Sequence, residues 1–364
     1  MQSYPVAHID LIALKHNLAR VRHFAPNSKV MSVVKANAYG HGMVDIARAL
    51  ENSDAFCVAR LSEALQLRDA GIQQAIVILE GVNTTAELQV AAENDLSLVF
   101  NSLIQIQLAT VTTLSKPLKF CWIMIETGMH RLGVQADKID IALQNVARSD
   151  NFIDPVGLMS HFANADLIGD TRNQQQLTRL KQCAQKYEVP LSMANSAGIL
   201  AFPESHCDWV RPGIMLYGSS PFSEKSARSL YLKSVMRLSA SIISIQNLQA
   251  GDEVGYGGDW TAEKATRVGV VSIGYGDGYP RQLSNEGTVM MEGKVIPILG
   301  RISMDMITVD LTLVAGAKVG SEVLLWGGSY VHIDNIAEQI DTISYELLSQ
   351  INERVSREYH HGEG

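Results

Sequence analysis

The chain has 364 residues, of which 46% are hydrophobic and 19% charged, and its formal net charge is −8. This length exceeds the size at which one hydrophobic core keeps growing, so two domains are expected. The 30 lysines and arginines form no clustered run, which argues against nucleic acid as a partner. No apolar run approaches the roughly 20 residues of a membrane-spanning helix. Small molecules are therefore the expected partners, and no membrane association is expected.

The four cysteines, Cys57, Cys121, Cys183 and Cys207, are widely spaced and form no Cys-x-x-Cys pair. This spacing predicts neither a zinc site nor a disulfide framework, and we expect no metal. The N-terminal residues lack the basic stretch and apolar core of a secretion signal. A reducing, cytoplasmic setting fits these features.

The first predicted element is an amphipathic helix over residues 10–25, with Asp10 as its N-cap and Leu11, Leu14, Leu18 and Val21 on its apolar face. Eight short apolar runs follow it, separated by polar helical stretches. They are VMSVVKAN, AFCVAR, AIVILEG, LSLVFN, KFCWIMIETG, PVGLMSHFAN, PLSMANSAG and DWVRPGIMLYG.

Continuous apolar runs indicate strands that are buried on both faces, as parallel sheets require, and the intervening lengths suit crossover helices. Eight such units predict a (β/α)8 barrel, in which functional residues lie at the C-terminal ends of the strands. Polar residues stand at all eight predicted ends: Lys35, Arg60, Glu80, Asn101, Glu126, His161, Asn195 with Ser196, and Arg211.

From about residue 236 the pattern changes to shorter strands broken by glycine turns such as GYGGD and GYGDGYP. We therefore expect an α/β barrel over residues 1–235 and a mostly β domain over 236–364 that closes with two short helices. The first residues of the chain are expected to be able to pair with the C-terminal domain.

Lys35 directly follows the first apolar run, and a lysine amine at a strand end can form a Schiff base with an aldehyde. Taken alone, such a lysine is more often a solvated charge. Its surroundings VVKANAYGHG, however, resemble the cofactor-lysine segment of alanine racemases. The resemblance continues through GMHRLGV, MSHFANAD, VRPGIMLYG, GYGDGYPR and GRISMDM, in the family's order and over nearly the whole chain.

The resemblance implies a homodimeric isomerase of fold type III that interconverts L- and D-alanine and supplies D-alanine for peptidoglycan. It implies pyridoxal 5'-phosphate (PLP) as the cofactor, carried by Lys35 as a Schiff base. Arg211 would face the pyridine nitrogen and hold it unprotonated, because an arginine does not give up its proton. The resemblance assigns the phosphate to Tyr39, Ser196, Gly213, Ile214 and Tyr345.

Racemisation needs an acid–base group on each face of the substrate, since a single base returns the proton to the face it left. The resemblance implies Lys35 for one face and Tyr275, contributed by the other subunit and bonded to His161, for the opposite face. It places Arg131 and the backbone of Met304 at the substrate carboxylate. Further site positions implied in the same way are Asp305, of uncertain role, and the corridor residues Asp166, Arg301, Ile343 and Tyr345.

One position departs from the family pattern. Many members carry a carbamylated lysine five residues before the Met129-His130-Arg131 segment, where it orients the arginine, whereas this chain has Met124. A thioether forms no carbamate, so three alternatives stay open: a bound anion such as chloride steadies Arg131, a carboxylate such as Glu126 does so, or the arginine is held more loosely.

Three alternatives stay open at this point. A racemase of broader specificity, acting on serine or other amino acids, is poorly separated by sequence. A PLP carrier without turnover would resemble the barrel alone, and the GYGDGYPR segment argues against it. A related decarboxylase would need a late catalytic cysteine, and no cysteine follows Cys207.

Overall fold

The computed structural model describes residues 4–328 and 331–361. Within these ranges no helix is both long and apolar enough to cross a membrane. The chain opens with strand β1 (Val6–Asp10), which leads directly into the helix Leu11–Phe24. The Asp10 carboxylate accepts hydrogen bonds from the backbone N–H groups of Ile12 and Ala13, each at 2.8 Å. The predicted helix and its cap are thus confirmed.

Eight parallel strands then close into a barrel, and one short strand is added beside it. In chain order they are β2 (Lys29–Val33), β3 (Ala55–Val58), β4 (Ala75–Ile78), β5 (Ser97–Phe100), β6 (Trp122–Glu126), the short β7 (Val134–Gln135), β8 (Gly157–Met159), β9 (Leu191–Ser192) and β10 (Trp209–Val210). Strand β10 pairs with β2, and β5 pairs with β6, which completes the ring. All eight predicted strands are confirmed.

The later helices of the barrel half are Met43–Ala49, Leu61–Asp69, Thr85–Glu93, Leu103–Val111, Ile139–Ala147, Thr171–Ala184 and Ser196–Ala201. The barrel interior is filled by buried side chains that include Met31, Cys57, Trp122 and Trp209. Trp209 pairs in register with Lys29, the first residue of β2, so this packing lies toward the start of the strands. It leaves the C-terminal ends of the strands free to form a cavity.

The remaining strands are β11 (Met236–Leu248), β12 (Glu253–Val254), β13 (Trp260–Thr261), β14 (Thr266–Val271), β15 (Thr288–Met291), β16 (Lys294–Leu299), β17 (Ile307–Asp310), β18 (Glu322–Trp326) and β19 (Ser356–His360). They form a second, mostly antiparallel sheet, except for β12 and β13, which pair with each other as a separate two-stranded sheet. Two short helices, Ile333–Gln339 and Ser344–Ser349, precede β19. Strand β1 joins this sheet, antiparallel to β11 and parallel to β19. The fold class, an α/β barrel followed by a β domain, is as predicted.

A left-handed turn follows β2. Ala36, Asn37, Ala38 and Tyr39 have φ angles of 53°, 52°, 53° and 51°. Non-glycine residues avoid this region because Cβ crowds the next carbonyl, at about 1–2 kcal/mol per residue. The turn reverses the chain at the end of a barrel strand, so that both Lys35 and Tyr39 face the barrel mouth.

Contacts from the β domain hold the end of this turn. The Arg357 guanidinium donates to the Gly40 carbonyl at 2.8 Å, and the Tyr359 hydroxyl donates to the His41 carbonyl at 3.2 Å. Gly40 has a φ of 78°, and a Cβ built on it would lie 2.0 Å from the Leu348 carbonyl oxygen. The helix Ser344–Ser349 therefore packs against the segment that follows Lys35, and strand β19 bonds to it.

This close approach predicts that Gly40→Ala destabilises the protein more than Gly71→Ala does. Both glycines are left-handed, with φ of 78° and 84°, but a Cβ on Gly71 meets nothing within 4 Å. Gly71→Ala should cost about 1 kcal/mol of backbone strain, whereas Gly40→Ala adds an overpacking cost of about 1–3 kcal/mol. Thermal unfolding midpoints measured side by side check this. Equal midpoints for the two variants would contradict the close packing at Gly40.

Candidate active site

A cavity of about 440 Å³ lies at the C-terminal mouth of the barrel, a volume suited to a small cofactor with its substrate. Nine of the predicted site residues line it: Lys35, Tyr39, Arg131, His161, Ser196, Arg211, Gly213, Ile214 and Tyr345. They come from separate strand ends and from the helix Ser344–Ser349 of the β domain. The fold thus brings together positions that lie far apart in the sequence.

Lys35 opens the left-handed turn, and its amine makes no hydrogen bond or ion pair with any residue in the described ranges. The His41 side chain stabilises the same turn through hydrogen bonds to its backbone. Its Nδ1 donates to the carbonyls of Tyr39 at 2.8 Å and Ala38 at 3.0 Å. The ring is fully buried, and burial lowers the pKa of His41 to about 4. His41 is therefore a neutral side chain that fixes the direction in which Lys35 and Tyr39 leave the backbone.

Arg211 lies at the floor of the cavity and is 4% exposed. Its guanidinium donates to the Ser192 hydroxyl and the Ser160 carbonyl, each at 2.5 Å. Burial lowers the pKa of Arg211 to about 10, so the group stays charged at neutral pH. Three anchoring partners, counting the Met193 carbonyl at 3.3 Å, hold the planar fork in one orientation.

His161 lies beside this arginine, with Nδ1 at 3.4 Å from the Arg211 guanidinium. Burial, followed by the positive charges of Arg211, Arg131 and Lys35, lowers the pKa of His161 to about 3. The imidazole is therefore neutral at pH 7. Its Nδ1 accepts from Arg211, which leaves the Nε2–H free to donate to a further partner.

Hydroxyl and N–H groups form a cradle on the side of the cavity next to Tyr39. The Ser196 hydroxyl accepts from the N–H groups of Gly213 at 2.9 Å and Met215 at 3.3 Å, at the start of the 3-10 turn Ile214–Tyr217. A Cβ on Gly213 would lie 2.4 Å from the Tyr39 hydroxyl, so only glycine permits this approach.

The two tyrosines of the cradle remain hydrogen-bond donors. Their ring centroids lie 6.1 Å apart, and burial raises the pKa of both Tyr39 and Tyr345 well above that of a free tyrosine. Neutral donors arranged around the N–H groups that open a 3-10 turn suit a phosphate group. An unpaired amine, a fixed arginine and this cradle together fit the aldehyde, ring nitrogen and phosphate of PLP.

Arg131 and Met124 both line the cavity. The Glu126 carboxylate is engaged by the backbone instead, since it accepts from the N–H groups of Gly128 and of His130, the latter at 2.8 Å. Arg131 makes no hydrogen bond or ion pair with the residues of 4–328 and 331–361. Glu126 therefore does not steady Arg131, and the guanidinium is free to meet an anion brought by a ligand.

The other predicted site residues lie outside this cavity. Asp166 and Ile343 line an adjoining cleft of about 1290 Å³, which reaches Tyr345 from the other side. Arg301 pairs with Asp259 of the β domain. Two of the polar residues at strand ends contact other protein groups. Arg60 pairs with Glu80 at 3.7 Å, and the Asn101 amide donates to backbone carbonyls.

Tyr275, Met304 and Asp305 form one exposed patch on the β domain, which we call the Tyr275 patch. The Tyr275 N–H donates to the Ser303 carbonyl at 3.1 Å, and the Gly276 N–H donates to the Met304 carbonyl at 2.8 Å. Tyr275 and Met304 are 43% and 53% exposed.

Arg354 ties this patch together, although the sequence offered no sign of it. Its guanidinium donates to Asp277 and to Asp305, each at 2.7 Å. Asp277 in turn accepts from the Gly274 N–H at 2.8 Å, which fixes the turn that carries Tyr275. Arg354 and Arg357 act through contacts that are distant in sequence, and neither lay within a motif. His41 bonds carbonyls close to it in sequence and lay within a motif, but there it had no assigned role.

A closed barrel with a lysine and a phosphate-type cradle at its mouth, joined to an antiparallel β domain, defines an α/β-barrel enzyme. Residues 9–221 match the family of the alanine racemase N-terminal domain, and residues 235–359 match that of the alanine racemase C-terminal domain. The chain belongs to the alanine racemase family, whose members are PLP-dependent isomerases.

Individual relatives agree with this assignment. An alanine racemase of Aeromonas hydrophila is 43% identical over 97% of this chain and 99% of its own length. The crystal structure of the biosynthetic alanine racemase of Pseudomonas aeruginosa, 39% identical, superposes with a TM-score of 0.92 over 99% of this chain and all of that one. A structure from Bartonella henselae with covalently bound pyridoxal phosphate, 31% identical, gives 0.88 over 99% and 100%.

Buried, neutral His41 predicts that the fold is sensitive to acid. Its folded pKa of about 4 lies below the ordinary value of 6.5, so its stability contribution is complete above pH 6.5 and is lost as the pH falls toward 4. At pH 5 this one group should cost about 2 kcal/mol. His41→Asn keeps an N–H donor without the titration, so its unfolding midpoint should fall less than that of the wild type between pH 7 and pH 5.

Exposed His23→Asn is the matched control, since it removes a histidine that lies outside the core. A wild-type acid slope that His41→Asn leaves unchanged would contradict this role for His41.

Proposed function

We propose that this chain interconverts L-alanine and D-alanine with PLP attached to Lys35. The observation that carries the proposal is the meeting of nine residues around one cavity of about 440 Å³, in a chain of the alanine racemase family. Bound PLP supplies an electron-accepting ring that makes the Cα proton of an attached amino acid removable. The protein's own residues supply binding, orientation and proton transfer.

The cradle and Arg211 bind and orient the cofactor in this proposal. Tyr39, Ser196 and Tyr345 donate hydroxyl hydrogens to the phosphate, and the raised pKa values of the two tyrosines keep those hydrogens in place. The N–H groups of Gly213 and Ile214 complete the phosphate site. Arg211, anchored by Ser192 and the Ser160 carbonyl, presents an N–H to the ring nitrogen. Because arginine does not transfer that proton, the ring stays a modest electron sink, which favours simple proton return over side reactions.

Lys35 moves a proton at its Nζ on one face of the substrate. Tyr275 of the partner subunit moves a proton at its hydroxyl on the opposite face, with the free Nε2–H of His161 as its hydrogen-bond partner. Two features support this division. Tyr275 of the same chain does not line the Lys35 cavity, and it is exposed, as are the apolar Met304 and Met306. A patch of this kind is typical of a surface that another subunit covers.

The substrate carboxylate would lie between two subunits. Arg131 of the barrel has no protein partner among the described residues and lines the cavity. The Met304 N–H would arrive with Tyr275, since the Tyr275 patch is bonded into one unit through Ser303 and Met304. Asp305 acts through Arg354 to hold this unit in shape, and Asp166, Arg301 and Ile343 are proposed to line the entry route.

We further propose that the D-alanine is used for peptidoglycan and that the enzyme acts in the cytoplasm. The biosynthetic relative from Pseudomonas aeruginosa and the four unpaired cysteines support this. A strain that depends on this gene for D-alanine should grow without added D-alanine when it carries the wild-type chain, but not when it carries Lys35→Ala. Growth of the Lys35→Ala strain would contradict the proposal.

Replacing Lys35 should abolish racemisation, whereas replacing Lys29, at the start of the strand that precedes it, should not. Lys35→Ala removes both the attachment point and one proton carrier, so activity should fall by at least about 10³-fold. Lys29→Ala is the matched control, because Lys29 is exposed at the opposite end of β2. Circular dichroism of alanine produced from each enantiomer measures both variants. A Lys35→Ala enzyme within tenfold of wild type would refute the assignment.

Mixing two inactive variants tests the shared site. Lys35→Ala and Tyr275→Phe chains should each be inactive alone, but a mixed dimer holds one site with both groups intact. Random assortment would restore about a quarter of the wild-type activity. Native mass spectrometry of differently tagged chains establishes that mixed dimers have formed. Mixed dimers without activity would show that Lys35 and Tyr275 do not serve a common site across subunits.

A further inference from the structure

We propose that His8, Glu358 and His360 bind a divalent metal ion of the zinc class, at a site on the β domain separate from the catalytic cavity. No other group of three histidine, cysteine or acidic side chains within the described residues offers ligand atoms so close together; in this one they all lie within 4.8 Å of one another. The absence of paired cysteines predicts no cysteine zinc site, but it does not bear on histidine and glutamate ligands.

The pairing register of β1 and β19 brings the three side chains together. Strands β1 and β19 run parallel, with His8 opposite Glu358 and Asp10 opposite His360. Side chains alternate between the two faces of a strand, so Glu358 and His360, two residues apart, lie on the same face. His8 projects beside them from the neighbouring strand. Three ligands are thus held by backbone hydrogen bonds rather than by a flexible loop.

Two of the three distances between ligand atoms match tetrahedral coordination, and the third is at most 4.8 Å. Bonds of roughly 2.0–2.1 Å at tetrahedral angles separate neighbouring ligand atoms by about 3.3–3.4 Å. His8 Nδ1 lies 3.3 Å from His360 Nε2 and 3.4 Å from the nearer Glu358 carboxylate oxygen. Little rearrangement is needed to place a metal among the three atoms, and water would occupy the fourth position.

A neighbouring hydroxyl prepares His8 to be a ligand. His8 Nε2 lies 3.1 Å from the Ser239 hydroxyl on β11. If that nitrogen carries the hydrogen, Nδ1 presents a bare lone pair toward Glu358 and His360, as metal-bound histidines do when their second nitrogen is hydrogen-bonded.

The surrounding charges tolerate a cation. Arg237, opposite His8 on β11, is engaged by Glu322 in two hydrogen bonds of 2.7 and 3.2 Å. Its positive charge is therefore largely offset, and Glu358 supplies a negative charge directly at the site. The alternative explanation of the short distance between His8 and His360 is a hydrogen bond between the two imidazoles, and this alternative predicts no metal binding.

A bound ion would join the first and last strands of the chain. The neighbouring residues Arg357 and Tyr359 of β19 hold the turn that follows Lys35, through the carbonyls of Gly40 and His41. Binding to the folded state alone should therefore raise the unfolding midpoint.

The test uses tag-free holoenzyme with zinc chloride, in competition with a chromophoric chelator. We expect one zinc per chain with micromolar affinity, and a zinc-dependent rise in the unfolding midpoint. His360→Ala, at an exposed position, should weaken binding by at least about tenfold and remove the stabilisation. His361→Ala, the adjacent exposed histidine, is the matched control and should bind as the wild type does.

Cobalt chloride gives a second readout, since tetrahedral cobalt absorbs strongly in the visible and the band should be lost in His360→Ala but kept in His361→Ala. Three results would each overturn the proposal: a wild-type enzyme that binds no zinc, a His360→Ala variant that binds it as well as wild type, or loss of binding in His361→Ala. The racemase activity is measured separately and does not enter the outcome.

Discussion

The left-handed turn after Lys35 is the constraint on which the site depends. Four successive residues, Ala36 to Tyr39, have positive φ angles, and none is glycine. At about 1–2 kcal/mol each, such a run would not persist in an isolated segment. It is stabilised by His41, which bonds the turn's own carbonyls, and by the β domain, which bonds Gly40 and the His41 carbonyl. Lys35 and Tyr39 consequently leave the backbone toward one cavity.

This constraint explains why the two halves of the molecule depend on each other. The β domain supplies its own barrel with Tyr345, with the packing of Leu348 against Gly40 and with the Arg357 bond. None of the three residues of the Tyr275 patch, in the same domain, lines that cavity. In the account proposed above, each β domain therefore completes its own barrel on one side and a partner's barrel on the other.

Much of the fold could be predicted from the sequence because the signals are local. Parallel strands buried on both faces require continuous apolar runs, and all eight runs were identifiable. Asp10 marked the first helix because a carboxylate before an apolar periodic stretch caps free N–H groups. The cavity residues followed from strand ends and from the family resemblance, which covered both domains. The structure brings these residues together around one cavity.

The rest depends on contacts that no local pattern records. Arg357 bonds a carbonyl 317 positions away, and Arg354 bonds Asp277 across 77 positions. The Ala-Asn-Ala-Tyr turn carries no glycine that would have signalled positive φ. Arg60 and Asn101 stand at strand ends like Lys35, yet their side chains bind neighbouring protein groups. Glu126 likewise turned to the backbone, which leaves Arg131 as the one cavity arginine without a protein partner in the described ranges.

Exchange of the Cα hydrogen of alanine for deuterium tests most directly whether Lys35 and Tyr275 are the two acid–base groups. Wild-type enzyme in D₂O should introduce deuterium into alanine of either configuration. Tyr275→Phe should lose racemisation but still exchange the Cα hydrogen of one enantiomer, because Lys35 continues to serve its own face. Exchange of both enantiomers with racemisation intact in Tyr275→Phe would contradict the account.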